Sequence, residues 1–107
     1  MSDQISKRGQ SYEAKFKFDE EQVFKAESRR NKMLAEWAGA KMGMSGEDIV
    51  AYIKDVRRAD LEEAGDDDVF RKVRADFDGK GTSVTDDEIR AKMGEFLAQA
   101  VSDIEAS

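Results

Sequence analysis

The sequence predicts an all-α fold, a four-helix bundle with a long first helix and a flexible N-terminal segment. Helix-start signatures, glycine stops and apolar residues at helical spacing support this prediction. The 107 residues contain no proline, so no helix has to break for want of an N–H donor. We expect short connections between amphipathic helices to give a bundle. The predicted bundle domain is residues 19–107, with helices at about 19–42, 46–64, 67–78 and 86–105.

Three stretches carry the signature of a helix N-terminus. In "FDEEQV", Asp19 is the predicted N-cap and Gln22 can reach back to it, while "MSGEDI" and "VTDDEI" offer Ser45 and Thr85 as caps. Each cap side chain satisfies a free backbone N–H, and a flanking apolar pair closes the first turn. Asp66 opens the remaining helix, since acids favour the positive end of the helix dipole.

Glycines mark the predicted helix ends, since they adopt the left-handed conformation of a C-terminal cap. Gly43 and Gly65 end the first two helices, and either Gly79 or Gly81 ends the third. Apolar residues at helical spacing define the inward faces. In chain order these are Val23, Phe24, Leu34, Trp37, Ala38 and Met42; Ile49, Ile53, Val56 and Leu61; Val69, Phe70, Val73 and Phe77; and Ile89, Met93, Phe96, Leu97, Ala100 and Ile104.

Composition excludes several functions. The chain has no cysteine and no histidine, which removes disulfides, thiolate metal sites and the commonest general base. A net charge of −6 argues against nucleic-acid binding. No apolar run is long enough to insert into a membrane, and the N-terminus lacks the apolar region of a secretory signal. We therefore expect a cytoplasmic protein.

The stretch "DFDGKGTSVTDDE" resembles a calcium-binding loop. Counted from Asp76, Asp78 and Gly81 occupy positions 3 and 6 of an EF-hand. However, Lys80 stands at a ligand position, and Glu88 arrives one place late. The stretch therefore predicts a helix connection, with no metal or cofactor, and calcium is kept as an alternative for titration.

Five bases form the other candidate site, because clustered bases can hold a phosphate. The simpler interpretation pairs them with neighbouring acids, as Arg58 with Glu62. The alternative is a weak adenine-nucleotide or anion site. No activated nucleophile or base is visible, so we do not expect an enzyme. The five bases are Arg57, Arg58, Arg71, Lys72 and Arg74.

Residues 1–18 differ chemically from the rest of the chain. They carry four bases and two acids, whereas the remainder is strongly acidic. Tyr12 and Phe16 are four residues apart and have no evident partner in the bundle. The segment is either a frayed tail or a segment that folds as a helix in a partner's groove.

Two long stretches, "YEAKFKFDEEQVFKAESRRNKMLAEWAGAKMG" and "DVRRADLEEAGDDDVFRKVRADF", resemble the zeta subunit of the alphaproteobacterial F-type ATP synthase. The resemblance implies that residues 1–18 inhibit ATP hydrolysis by becoming helical on insertion at a catalytic α/β interface near the rotor. It also implies the α, β and γ subunits as partners, at the cytoplasmic face of the inner membrane, and a monomer when free. The implied partner-binding residues are Arg8, Tyr12, Glu13, Lys15, Phe16, Asp19 and Glu20.

Four residues of this region depart from the family's pattern. Gly9 and Ser11 stand where that pattern has glutamate and alanine, and Lys17 and Phe18 replace alanine and histidine. Glycine costs about 1 kcal/mol relative to alanine inside a helix, so Gly9 disfavours the inhibitory conformation. The alternative function is therefore a zeta-type bundle with weak or lost inhibition, acting as a docking subunit or a weak adenine-nucleotide sensor.

Overall fold

The computed structural model describes residues 19–61 and 66–106, and within these ranges it contains four α-helices and no strand. The all-α four-helix bundle predicted from sequence is confirmed. The helices are α1 (Glu20–Lys41), α2 (Glu47–Ala59), α3 (Asp67–Gly79) and α4 (Asp86–Ala106).

The first and last helices, α1 and α4, lie antiparallel. Two ion pairs fix the α1–α4 direction, Arg29 with Asp103 at 4.0 Å near one end and Lys41 with Glu88 at 3.9 Å near the other. Helix α1 contacts all three other helices. It is therefore the central element of the packing.

Side-chain capping sets two of the four helix starts as predicted. Asp19 Oδ1 accepts from the Gln22 N–H at 2.8 Å, and the Gln22 side chain accepts from the Asp19 N–H at 3.3 Å. Before α4, Thr85 Oγ1 accepts from the Glu88 N–H at 3.0 Å. These side chains satisfy backbone donors that a helix N-terminus leaves free.

The other two helix starts have no side-chain capping bond: the predicted cap Ser45 is wrong, whereas Asp66 is the N-cap residue of α3 as predicted. Helix α2 starts after Gly46, not Ser45, and the Asp48 N–H bonds to the Ser45 carbonyl rather than to its hydroxyl. Gly46 takes φ +58°, a conformation that glycine adopts readily, so it sets the turn into α2. Asp66 does precede α3, but its side chain makes no capping bond and instead pairs with arginines of α1 and α4.

Two helices end in the same glycine motif. After α1, Gly43 has φ +86°, and the Met44 N–H bonds back to the Gly39 carbonyl at 2.8 Å. After α3, Gly81 has φ +67°, and the Thr82 N–H bonds to the Phe77 carbonyl at 2.9 Å. Both are Schellman motifs, which satisfy free carbonyls at a helix end. Of the two candidates for the α3 stop, Gly81 is therefore the one used.

Helix α2 ends at Ala59, well before the predicted end near residue 64. Asp60 turns its carboxylate towards α1, where it accepts from Asn31 Nδ2 at 3.0 Å and pairs with Arg30 at 3.8 Å. These contacts hold the end of α2 against α1. The predicted stop at Gly65 lies outside the described residues.

The main core is formed by apolar faces of all four helices, with Phe77 fully buried and in edge-to-face contact with Trp37 at 5.6 Å. Such aromatic pairs add to the stabilisation from burial. Three residues of the predicted apolar faces are exposed instead. These are Val23 (42%), Phe24 (59%) and Leu61 (73%).

Helices α1 and α4 are close in length and lie side by side. Helix α4 has 21 residues against the 22 of α1, and its C-terminal half lines α1. There Ala26 packs with Ala100 and Val101 in a second apolar cluster. What α1 leaves uncovered is therefore its first turns.

Candidate functional site

Most of the predicted partner-binding residues lie outside the described residues, namely Arg8, Tyr12, Glu13, Lys15 and Phe16. Asp19 and Glu20 lie at the start of α1, and both are exposed. Asp19 is committed to the capping box, so its carboxylate has a structural use in this conformation. The start of α1, where the bundle connects to residues 1–18, therefore lies on the surface.

The first turns of α1 present both charge and apolar surface to solvent. Glu21 and Lys25 form an exposed i, i+4 pair at 3.7 Å, which contributes little to stability. Val23 and Phe24 lie between them and are exposed. A large exposed apolar group such as Phe24 is a candidate for contact with another segment.

Among the five predicted anion-binding bases, two lie at the C-terminal end of α2. Arg57 Nη2 donates to the Ser28 carbonyl of α1 at 3.3 Å, and Arg58 pairs with Asp55 at 3.3 Å. The pairing expected with Glu62 lies outside the described residues. Arg57 thus joins two helices, whereas Arg58 faces solvent on its own helix.

Arg74 links α3 to the start of α4. It donates to the Val84 carbonyl at 2.7 Å, to Asp86 at 2.9 Å and to Asp78 at 2.8 Å. The hydrogen bond to Asp86, more than that to Asp78, raises the pKa of Arg74 above its ordinary value. The Arg74 guanidinium therefore stabilises the α3–α4 connection through these hydrogen bonds.

Arg71 and Lys72 are the two of the five that share a recess, of about 300 Å³, with Asp68 and Ala59. Arg71 pairs with the buried Asp68 at 2.6 Å, and Lys72 pairs with Asp76 at 3.1 Å. An incoming phosphate would compete with both carboxylates. Nucleotide or anion binding by these bases stays a prediction.

The calcium-like stretch has its first two carboxylates engaged by protein groups. Asp76 accepts from the Tyr52 hydroxyl at 2.7 Å and pairs with Lys72, while Asp78 pairs with Arg74 at 2.8 Å. Gly81 belongs to the helix-ending motif described above. Within residues 19–61 and 66–106, no group of three acids is placed to hold a metal ion.

Sequence reasoning missed a buried charge cluster between α1 and the α2–α3 connection. The Arg30 side chain is 2% exposed, its Nε donates to Asn31 at 2.7 Å, and it pairs with Asp60 and Asp66 at 3.8 Å each. Burial, and secondly the Asp60 charge, raise the pKa of Glu27 above its ordinary value, although Arg30 opposes this. Three carboxylates thus share a cluster with Arg30, and one of them, Asp66, also pairs with Arg90.

One part of this cluster was detectable from sequence. Ala26, Arg30 and Leu34 are four residues apart, so a helical reading places Arg30 on the apolar face of α1. A buried arginine then requires acid partners. Its partner Asp60 could not be identified, because the predicted second helix, at about 46–64, places Asp60 in its interior.

The bundle and its surface define a small antiparallel helical protein with an uncovered first helical turn next to an N-terminal segment. Over the residues described, none of the helices combines the length and apolar character needed to cross a bilayer.

Comparison with known proteins identifies the family. The family model for the ATPase inhibitor subunit zeta matches residues 1–103, so the chain belongs to that family. A protein with a known solution NMR structure is similar over 78% of this chain and 94% of its own, with 43% identity and a TM-score of 0.68. A search of curated proteins gives no match. The family resemblance seen in the sequence is thereby confirmed.

Proposed function

We propose that the protein is a regulatory subunit that inhibits ATP hydrolysis by the F-type ATP synthase. The observation that supports this proposal is the match to the zeta inhibitor family, which starts at residue 1 and includes the whole of residues 1–18. The inhibitory element is this segment, which inserts as a helix at a catalytic α/β interface near the rotor and blocks rotation in the hydrolytic direction. The bundle keeps the protein on the enzyme, at the cytoplasmic face of the inner membrane.

The start of α1 supports separate roles for residues 1–18 and for the bundle. Among the described residues, the buried apolar residues of the bundle lie between Ala26 and Val101. Helix α1 has its own cap at Asp19, which is worth about 0.5–2 kcal/mol. Helix α1 therefore has a defined start at Asp19.

Within the segment, the aromatics and charges have different roles. Tyr12 and Phe16 lie on one face of a helix and supply the apolar anchors that dominate groove binding. Arg8, Glu13 and Lys15 supply charged contacts to the α, β and γ subunits. Asp19 and Glu20 border this surface on the bundle side.

A second candidate function, docking without strong inhibition, is favoured by Gly9. Each 1.4 kcal/mol lost from a helix that orders on binding weakens affinity about tenfold. Glycine at this position accounts for about 1 kcal/mol of such a loss. A subunit of this kind would remain on the enzyme and leave turnover unchanged.

The deciding experiment measures the ATP hydrolysis rate of the cognate synthase. The full-length protein is compared with a shortened chain starting at Asp19 and with the full-length double variant Tyr12→Ala, Phe16→Ala. We expect inhibition by the full-length protein alone. A matched control is Val50→Ala, which removes an exposed apolar group of α2 and should inhibit like the parent.

Retention of each variant on the synthase is measured in the same samples. Equal hydrolysis rates with the full-length and shortened chains would contradict an inhibitory role of the segment. If both chains are also retained on the enzyme, the docking function is the correct one.

A further inference from the structure

The start of α1 is fixed by a local hydrogen-bonded motif and not by packing. In the capping box, Asp19 Oδ1 accepts from the Gln22 N–H at 2.8 Å, and the Gln22 side chain accepts from the Asp19 N–H at 3.3 Å. The next residues, including Val23 and Phe24, are exposed, and the first buried residue in the described part of the chain is Ala26. The bundle core therefore does not determine where the helix begins.

The sequence before Asp19 would itself allow the helix to continue. Residues 12–18, "YEAKFKF", contain no glycine or proline and no residue of the types preferred at a helix N-cap. A helix that continued α1 backwards past Asp19 would therefore meet no stop signal before Ser11. The capping box is thus the feature that sets the N-terminus of α1 at this point.

The apolar face of α1 also continues into the segment. Counted back in steps of three and four residues from Ala26, one helical face passes through Val23, Asp19, Phe16 and Tyr12. An unbroken helix would therefore place both aromatics of the segment on the same side as Ala26. Val23 is 42% exposed, so the bundle leaves this face uncovered near the segment. Asp19 is the one polar residue in the run.

The cap and an unbroken helix exclude each other. Asp19 has φ −80° and ψ 178°, an extended conformation, whereas a helical residue has ψ of about −42°. A helix through residue 19 would also direct the Gln22 N–H to the Phe18 carbonyl, four residues back. That N–H is the donor that the Asp19 carboxylate occupies. Continuing the helix therefore requires the capping box to open.

We propose that the capping box of Asp19 and Gln22 limits inhibition, because it must open before the segment and α1 can form one helix on the synthase. This proposal rests on the function proposed above. A chain with the box closed cannot have the unbroken helix, so the apparent affinity for the enzyme is reduced to the fraction of chains in which the box is open. Asp19 is thus a positioning residue, whose carboxylate acts on the backbone at the start of α1.

Replacements of Asp19 separate the effect of the cap from the effect of the charge. Asp19→Ala removes the capping oxygen, whereas Asp19→Asn removes only the charge, since asparagine and aspartate cap about equally well. Asp19→Val also lacks a capping oxygen but has about the helix propensity of asparagine, so it separates loss of the cap from a gain in propensity. Thr85→Ala is the matched control, because it removes the side-chain cap of α4.

The first measurement uses the free full-length proteins. Cα chemical shifts of residues 12–22 are measured by NMR, since they report helix formation residue by residue. We expect Asp19→Ala and Asp19→Val to move the shifts of residues 12–18 towards helical values, and Asp19→Asn and Thr85→Ala to keep the parent's pattern. Identical shifts in the parent and all variants would overturn the proposal, because the cap would then not be what interrupts the helix.

The second measurement is inhibition of ATP hydrolysis by the cognate synthase. We expect Asp19→Ala to lower the inhibitory concentration about fivefold, the effect of losing an average N-cap from the competing conformation. Thr85→Ala should leave the inhibitory concentration unchanged, and Asp19→Asn should not lower it. Weaker inhibition by Asp19→Ala and Asp19→Asn alike would assign the carboxylate to a charged contact with the synthase and would overturn the proposal.

Failure of the proposed function would look different. In that case the parent itself would not inhibit hydrolysis, whatever the variants do. The chemical shifts are measured without the enzyme, so they decide independently whether the capping box interrupts the helix.

Discussion

The Tyr52 hydroxyl donates a hydrogen bond of 2.7 Å to Asp76 and so joins α2 to α3. Lys72 reaches the same carboxylate at 3.1 Å and lies 5.6 Å from the centre of the tyrosine ring. Tyr52 is buried, and its hydroxyl is the partner that connects the core to this surface pair. One carboxylate therefore holds both a neutral donor and a cation.

We predict that Tyr52→Phe lowers the free energy of unfolding by about 1.5 kcal/mol, the usual value for a hydrogen bond to a charged group. The ring keeps its packing, so only the hydroxyl contact is lost. Urea denaturation followed by circular dichroism measures the change. The matched control is Tyr12→Phe, which alters the chain's other tyrosine and should leave the midpoint unchanged. An unchanged midpoint for Tyr52→Phe would contradict the structural use of this bond.

The same contact predicts a pH dependence. Burial, and then the hydrogen bond to Asp76, raise the pKa of Tyr52 above its ordinary value. An unfolded tyrosine releases its proton near pH 10, while the folded chain keeps it. Stability should therefore fall as the pH rises above about 10, more steeply in the parent than in Tyr52→Phe. Unfolding midpoints of both proteins at pH 8 to 11 test this, and parallel curves would refute it.

The buried arginine gives a third prediction. Arg30→Ala leaves Asp60 without its cation and Asp66 with Arg90 alone, which we expect to cost about 3 kcal/mol, the lower end of the range for a broken buried pair. The lower end applies because Asp66 is half-exposed. Arg29→Ala is the neighbouring control, since its exposed pair with Asp103 at 4.0 Å should contribute less than about 1 kcal/mol. Equal losses would show that burial of Arg30 is not decisive.

Two glycine variants should change stability in opposite directions. Gly81 has φ +67°, so Gly81→Ala strains the end of α3 by about 1–2 kcal/mol. Gly94 lies within α4, with open space around its Cβ position. Gly94→Ala should therefore stabilise the protein by about 0.5–1 kcal/mol. Thermal unfolding of both variants tests the pair, and a shift of the same sign in both would be inconsistent with the helix end described here.

A fifth prediction concerns the proposed inhibitory segment. Gly9→Ala should strengthen inhibition of ATP hydrolysis about fivefold, because about 1 kcal/mol of helix-forming cost is removed. Titration of the cognate enzyme measures the inhibitory concentration. Gly94→Ala serves as the control for a glycine replaced outside the segment. No difference between Gly9→Ala and the parent would show that the segment does not act as a helix at this position.

Local signals in the sequence predicted most of the fold. These signals are the capping groups at Asp19 and Thr85 and the glycines at positions 43 and 81. They act within one or two helical turns, so they can be recognised from a short stretch of sequence. The predicted cap at Ser45 is wrong because Gly46 is the residue that immediately precedes α2. The early end of α2 could not be read locally, since it depends on contacts between Asp60 and α1.

The candidate site was less predictable for the same reason. Phe24 and Leu61 have the spacing of core residues, but Phe24 lies in the uncovered first turns of α1 and Leu61 lies beyond the end of α2. The buried position of Arg30 was readable, but its acid partners were not. Bases such as Arg74 looked like an anion site, whereas their partners come from helix ends that the fold brings together.

The central position of α1 also has a mechanical consequence. A pull on the N-terminal segment would act at Asp19 and along the axis of α1. Because α1 lies lengthwise against α2 and α4, such a force shears many side-chain contacts at once instead of peeling them one by one. The segment is thus joined to the helix that contacts all three others, and a force on it would be borne by the core as a whole.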